Sequence, residues 1–303
     1  MIRPILLFPK PTLQLLLLGV ILNPVAQAAQ LQPETVEAFE QQVAANDRRR
    51  EERADARAPF LWTSASAEQR QRLRDGELVI QPRQGKGDIA VEKGIIHHWI
   101  GGVFVPGRSA AGALALLGDF DAYKQIYPAS VEESKTLERD GNVSKAHLRL
   151  RKHRIVTVVL NTEYEIEFKR VDEQRWQSRS VSTRIAQVKD PGGPQEHELP
   201  VGEDGGYLWR IVTLWRFEEA DGGVYMECEV LGLTRGVPYG LGWLIRPIIR
   251  SFPRESLAET LLDTRNALLR DSGEATPPRS LSRVAPQNSP QPAPPGVIEA
   301  ALP

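Results

Sequence analysis

Residues 215–230, "WRFEEADGGVYMECEV", decide how this chain folds. Asp221, Gly222 and Gly223 form a turn signal between two extended runs, so the runs lie antiparallel. On the second run Val224, Met226, Cys228 and Val230 share one face, and Glu227 and Glu229 take the other. On the first, Trp215 and Phe217 continue a face shared with Tyr207, Trp209 and Ile211, while Arg210 and Arg216 point the opposite way. Such a hairpin belongs to an antiparallel sheet that is covered on one side and wet on the other.

Four more strand candidates precede it, at about Val131–Arg139, Ser144–Lys152, Ile155–Arg170 and Arg175–Val188. With Tyr207–Glu219 and Val224–Arg235 they make six. In the third, Val156, Val158, Leu160, Tyr164, Ile166 and Phe168 line one face, with Glu163 and Glu165 behind them. Upstream, "GIIHHWIGGVFVPG" from Gly94 is β-rich, and "SAAGALALLGDFDAYKQIYP" is helical, with Ser109 as its cap and a stop at Pro128. Downstream, Leu257, Leu261, Leu262, Leu268 and Leu269 recur at helical spacing, so a long helix covers the apolar face.

One strand, short helices, six antiparallel strands and a closing helix resemble the START-like superfamily of polyketide cyclase/dehydrase and lipid-transport proteins, also called SRPBCC. The likeness rests on that order, on "FDAYKQIYP" and on the 215–230 hairpin, and it covers roughly 94–269. It implies an α+β helix-grip fold, a curved antiparallel sheet wrapped around a long C-terminal α-helix. Between the two it implies a cavity for a hydrophobic or amphipathic small molecule such as a lipid, sterol, quinone or polyketide. The superfamily also includes cyclases and aromatases, so binding or transfer and catalysis both stay open. A non-catalytic interaction module is a third reading. The segment before Gly94 and the insert "VKDPGGPQEHELPVGEDGG" depart from the minimal pattern.

Candidate ligand contacts follow from the inward faces: His97, Trp99, Tyr164, Arg184, Trp209, Thr213 and Trp243. If Trp176 points inward, strict alternation sends Ser178, Ser180, Ser182 and Arg184 the same way, placing a guanidinium beside an apolar cavity. There it needs a glutamate of the fold or a polar ligand head. Adjacent His97 and His98 point to opposite faces of a strand, and His147 and His153 lie about 20 Å apart along an extended chain, so no metal is expected. No hydrolase elbow of the form G-x-S-x-G is present, and no cofactor is expected, since Gly85-Lys86-Gly87 is not followed by a phosphate-binding signature. Cys228, the sole cysteine, reads as a small buried hydrophobe rather than a nucleophile.

"RGVPYGLGWLIRPIIRSFPRESL", 235–257, is amphipathic rather than membrane-spanning. Leu241, Leu244, Ile245, Ile248 and Phe252 form one stripe and Arg246, Arg250 and Arg254 another, which suits a cavity gate or contact with an anionic membrane. Pro247 is expected to kink or break this segment.

The remaining chain sets the boundaries. The 303 residues carry 38 basic and 39 acidic side chains, which leaves no field to draw nucleic acid. Residues 1–28 read as a cleavable signal peptide, with Arg3 and Lys10, an apolar run at Leu13–Leu22 and the Ala26-Gln27-Ala28 site. This implies a secreted or periplasmic protein, with no lipoprotein cysteine after the run. Residues 29–93 form an N-terminal helical and linker extension whose Pro33–Arg57 helix, poor in large apolar residues, is expected to be solvated or flexible. Residues 94–270 form the ligand-binding domain, and 271–303 a Pro-rich disordered tail.

Overall fold

The computed structural model describes residues 29–55, 57–153, 157–236 and 242–270, with side chains of the last segment from 251 onward. The expected signal peptide, the Pro-rich tail, Val156, and the side chains of Trp243, Arg246 and Arg250 lie outside these described residues.

Ten strands form one antiparallel sheet. In chain order they are β2 (Val79–Pro82), β3 (Asp88–Val91), β4 (Gly94–Pro106), β5 (Val131–Asp140), β6 (Val143–His153), β7 (Thr157–Arg170), β8 (Arg175–Lys189), β9 (His197–Glu198), β11 (Arg210–Ala220) and β12 (Gly223–Arg235). A two-stranded ribbon of β1 (Ala29–Gln30) and β10 (Glu203–Asp204) stands apart. The main order is β2-β4-β12-β11-β8-β7-β6-β5, so the first long strand lies beside the last. Asp221 and Gly222 both adopt positive φ, which is what the β11–β12 turn requires.

Among the described residues the α-helices are α1 (Pro33–Ala54), α2 (Ala67–Arg74), α3 (Ala110–Gly118), α4 (Tyr123–Ile126) and α5 (Gly242–Arg270). The Ser66 hydroxyl accepts from the Gln69 amide, and the Ser109 hydroxyl from the Gly112 amide, capping α2 and α3. On one face of the sheet α5 and α3 seal the main core, where Leu257, Leu261, Leu268, Leu114 and Leu117 meet Trp215, Phe217, Phe168, Met226 and Val103. α5 comes close to β4 because Gly101 is bare: a Cβ there would lie 2.8 Å from Leu261 Cδ1 and 2.7 Å from Ile80 Cγ1. α5 runs unbroken through Pro247 and Pro253, contrary to the break expected at Pro247. Each proline removes one amide donor, and the helix continues past both.

The second face is dry over β12 and the Arg216 stretch of β11, which corrects the reading of Arg216, Glu227 and Glu229 as solvated, while Glu165 on β7 is exposed and Glu163 and Arg210 are half-buried. Arg216, Glu227 and Glu229 are each at most 1% exposed. α1 covers them, packing Phe39 onto Ile96, Trp209, Val212, Leu214, Leu231 and Leu233. Beside it, Phe60, Leu61 and Leu73 of the α2 region cover Val79, Phe104 and Tyr225. Nor is α1 a solvated spacer, since Thr35, Phe39 and Asn46 are buried. Its scarcity of apolar residues misleads because the surface it covers is itself ionic, and a polar helix can be complementary to it through charge.

Candidate functional site

The concave face, under α5, is organised in cross-strand rows. Cys228, Trp215, Ser178 and Phe168 stand side by side across β12, β11, β8 and β7, and all four are buried. This row is filled by protein, pressed under Leu257, Leu261 and Leu268. The next row, Val230, Thr213, Ser180 and Ile166, changes character: its first three members are only half-buried. Beyond it Gly232 pairs with Ile211, and Ser182 pairs with Tyr164. Ile211 and Tyr164 are half-buried as well. Small side chains at Ser180, Ser182 and Gly232 keep this floor low between apolar and aromatic neighbours.

The polar groups on this floor are few. Ser182 Oγ accepts from the Ile211 amide at 3.0 Å, and Thr162 Oγ1 donates to Leu148 O at 2.9 Å. Removal from water pushes the Tyr164 phenol above its ordinary pKa, so it stays protonated and can donate. The Trp99 Nε1–H, at the Val230 end, is buried with no partner among the described residues. Burial, with Glu229 and Glu227 nearby, raises the Cys228 thiol well above its normal value, leaving it a packed, unreactive group.

Thus Trp99, Tyr164 and Thr213 share the concave face. His97 lies on it too, but both ring nitrogens are engaged: Nδ1 with Asp88 Oδ1 at 2.9 Å and Nε2 with Thr234 Oγ1 at 3.1 Å. His98 points through to the other side and meets Glu229 at 2.9 Å.

Arg184 is not on the concave face. β8 carries a bulge at Thr183: Ser182 faces Tyr164, while Arg184 faces Glu163, the very next residue of β7. One extra residue in β8 reverses the alternation that had placed Arg184 with the serines. Its guanidinium pairs instead with Glu198 of β9. Trp209 is also displaced from the expected lining. It lies just before β11, so strand alternation does not govern it; it packs under Phe39, and its Nε1–H donates to Asp204 at 3.1 Å.

What sequence reasoning missed is the ionic core behind the floor. Arg216 Nη1 reaches Glu227 at 2.9 Å and Glu229 at 3.3 Å, and Arg83 Nε reaches Glu229 at 3.1 Å. The amides of Trp62 and Thr63 donate to Glu227 Oε2. Burial alone would raise the Glu229 carboxyl, but His98, Arg216 and Arg83 outweigh it and hold it at about 2. The signal was present in the hairpin register, which sets Arg216 directly across from Glu227.

Two surface grooves lie elsewhere. One, of about 790 Å³, runs between Lys124, Glu132, Arg149, Arg151 and Glu196, and the other, of about 520 Å³, between Asp172, Arg175 and Glu218. Their main charges are already paired, Arg149 and Arg151 with Glu132 and Arg175 with Asp172.

An antiparallel sheet gripping a long C-terminal helix, with short helices between its first long strand and the next, is the helix-grip arrangement. The fold is START-like. No family model and no curated protein matches the chain. Among solved structures it is similar to a STAR-related lipid transfer protein from Xanthomonas axonopodis, at 15% identity over 64% of this chain and 99% of that one, TM-score 0.41. It is also similar to an aromatase/cyclase from Streptomyces sp. R1128, at 12% identity over 60% and 99%, TM-score 0.41. A START superfamily protein from Mycobacterium smegmatis is 15% identical over 57% and 98%, TM-score 0.39. The fold assignment rests on the strand order and helix placement described above, and these likenesses carry no site residue across.

Proposed function

We propose that this protein is an exported carrier that holds a hydrophobic or amphipathic small molecule between its concave face and the first half of α5. The observation that carries the reading is the change between neighbouring rows. Cys228, Trp215 and Ser178 are sealed, whereas Val230, Thr213, Ser180, Ile211 and Tyr164, one and two rows on, are left half-buried on the same face. Half-buried apolar groups over a floor of small side chains are what a ligand completes. About 300 Å² of apolar ligand surface removed from water there contributes roughly 7 kcal/mol. Thr213, Ser180 and the Tyr164 phenol offer hydroxyls to a polar end. Export is supported by residues 1–28, and docking on anionic membrane by Arg246, Arg250 and Arg254. Among the described residues no helix is long and apolar enough to cross a membrane.

The test is native mass spectrometry of the protein purified from its own source. A discrete added mass that organic extraction removes is expected, and Ser180→Phe, which fills the floor, should abolish it while leaving the far-UV circular dichroism unchanged. A wild-type protein free of added mass that also fails to take up apolar fluorescent probes would end the carrier reading.

A further inference from the structure

The ionic core between α1 and the second face is unbalanced. Arg49, Arg53, Arg83 and Arg216 gather there around Glu227 and Glu229. Arg49 lies within electrostatic reach of Arg83, Arg216 and Glu229, and Arg53 within reach of Arg216, Arg83 and both glutamates. Arg216 binds both carboxylates, Arg83 binds Glu229, and Arg53 stands 3.6 Å from Glu227. Arg49 has none of this. Its guanidinium donates to Asn46 Oδ1 at 3.0 Å, and among the described residues no carboxylate lies within ion-pair distance of it. Arg49 Nε, Arg53 Nη1 and Arg216 Nε are buried without a hydrogen-bond partner among the described residues.

The two guanidiniums at the outer end of this cluster come from different elements, Arg49 from α1 and Arg83 from the turn after β2. The elements are bridged beside them by Gln84 Nε2 donating to Gln42 Oε1 at 3.4 Å. Arg49 and Arg83 are both partly exposed, so this end is open to solvent where the Arg216 end is not. Two planar guanidiniums, Arg49 with its Nε unfilled and Arg83 engaged through Nε by Glu229, in a cluster with more cations than carboxylates, match a tetrahedral oxyanion whose several oxygens accept from both while its charge offsets theirs.

We propose that the seam between α1 and the β2–β3 turn binds one phosphate or sulfate group between Arg49 and Arg83. The anion would lock α1 onto the sheet. The site lies on the opposite face from the proposed carrier floor and does not depend on it.

Thermal and urea unfolding of the full chain at fixed ionic strength, in chloride alone and with sodium phosphate from 0.1 to 20 mM, tests this. Without phosphate, Arg49→Gln should be more stable than wild type, because it removes an unpaired cation. With phosphate the order should reverse, since only the wild type gains, saturably and about ten-fold in its folded-to-unfolded ratio at nine times the dissociation constant. Arg83→Gln should lose the same gain, and Arg48→Gln, on the exposed side of α1, should keep it. Sedimentation with phosphatidylglycerol-containing vesicles separates the sources: phosphate stabilisation without sedimentation identifies a free anion, and Arg49-dependent sedimentation identifies a lipid headgroup. A response that rises without saturating and is equal in all variants is general salt action and overturns the proposal. So does the absence of any response.

Discussion

Arg184 stands across the β7–β8 ladder from Glu163, while Ser182 stands across from Tyr164, so the two β8 side chains point to opposite faces. Thr183 is the surplus residue between them. Arg184→Leu should therefore leave ligand occupancy unchanged by native mass spectrometry. The Arg184–Glu198 pair it removes is about a third exposed on both sides, so its loss should cost less than about 1 kcal/mol. Deleting Thr183 should also be tolerated, because it restores regular alternation and leaves every side chain on its present face. Deleting Gln177, within the regular part of β8, flips a strand segment and should prevent folding. Loss of ligand in Arg184→Leu would show that the arginine reaches the concave face.

Arg216 binds two carboxylates while 1% exposed, and this makes it a sensitive point in the sheet. Arg216→Met should destabilise by about 3–5 kcal/mol in urea titrations, since it strands Glu227 and Glu229 in a dry interior. Arg216→Lys keeps the charge but lacks the fork, and its midpoint should fall between the other two. Equal stability of all three proteins would mean that water reaches the cluster freely.

The parts of the fold that were legible in the sequence are those with a clean period. The 215–230 hairpin alternates without interruption, and Leu257, Leu261 and Leu268 keep helical spacing, so the main core could be assembled from pattern alone. What escaped has a physical reason in each case. α1 has few large apolar residues because, beyond the apolar contact of Phe39, it covers an ionic surface that Arg53 meets at Glu227, and hydrophobic periodicity is silent about such contacts. The bulge at Thr183 adds one residue with no mark in composition, so the orientation that strict alternation gives Arg184 is reversed. Trp209 was assigned by extending β11 backward past its true start. Of the candidate lining, Trp99 and Thr213 lie within regular ladder and are placed by it, while Tyr164 borders the bulge and keeps its face because the surplus residue is in β8 and its pairing with β6 is regular.

Gly101 sets how closely α5 approaches β4. Gly101→Val should push Leu261 and Ile80 aside and lower stability by about 1–3 kcal/mol, the usual cost of overpacking. Leu261→Ala opens a cavity of its own when made alone, at about 2–5 kcal/mol, yet it also vacates the space the valine needs. The double variant should then lose clearly less than the sum of the two, by at least 0.5 kcal/mol in a thermodynamic cycle. Strict additivity would place the valine elsewhere.

Glu229, held at about 2, makes the fold acid-sensitive in a defined window. Its carboxyl is depressed in the folded protein relative to the unfolded chain. Its contribution is therefore complete above about pH 4.5 and is lost as the pH falls toward 2, by roughly 3 kcal/mol in all. Glu227 works in the opposite sense: burial raises it above the ordinary carboxylate value, against the pull of Arg216 and Arg53. From that raised value down to about pH 4.5 the folded state takes up a proton first, which favours folding as the pH falls. Glu229→Gln should consequently flatten the decline of urea midpoints between pH 4.5 and 2.5. Glu227→Gln should make the decline begin at higher pH, because the compensating proton uptake is gone. An acid slope in Glu229→Gln equal to that of the wild type would assign the acid sensitivity to other carboxylates, of which Glu132 and Asp172, also held below their usual values by neighbouring arginines, are the next to substitute.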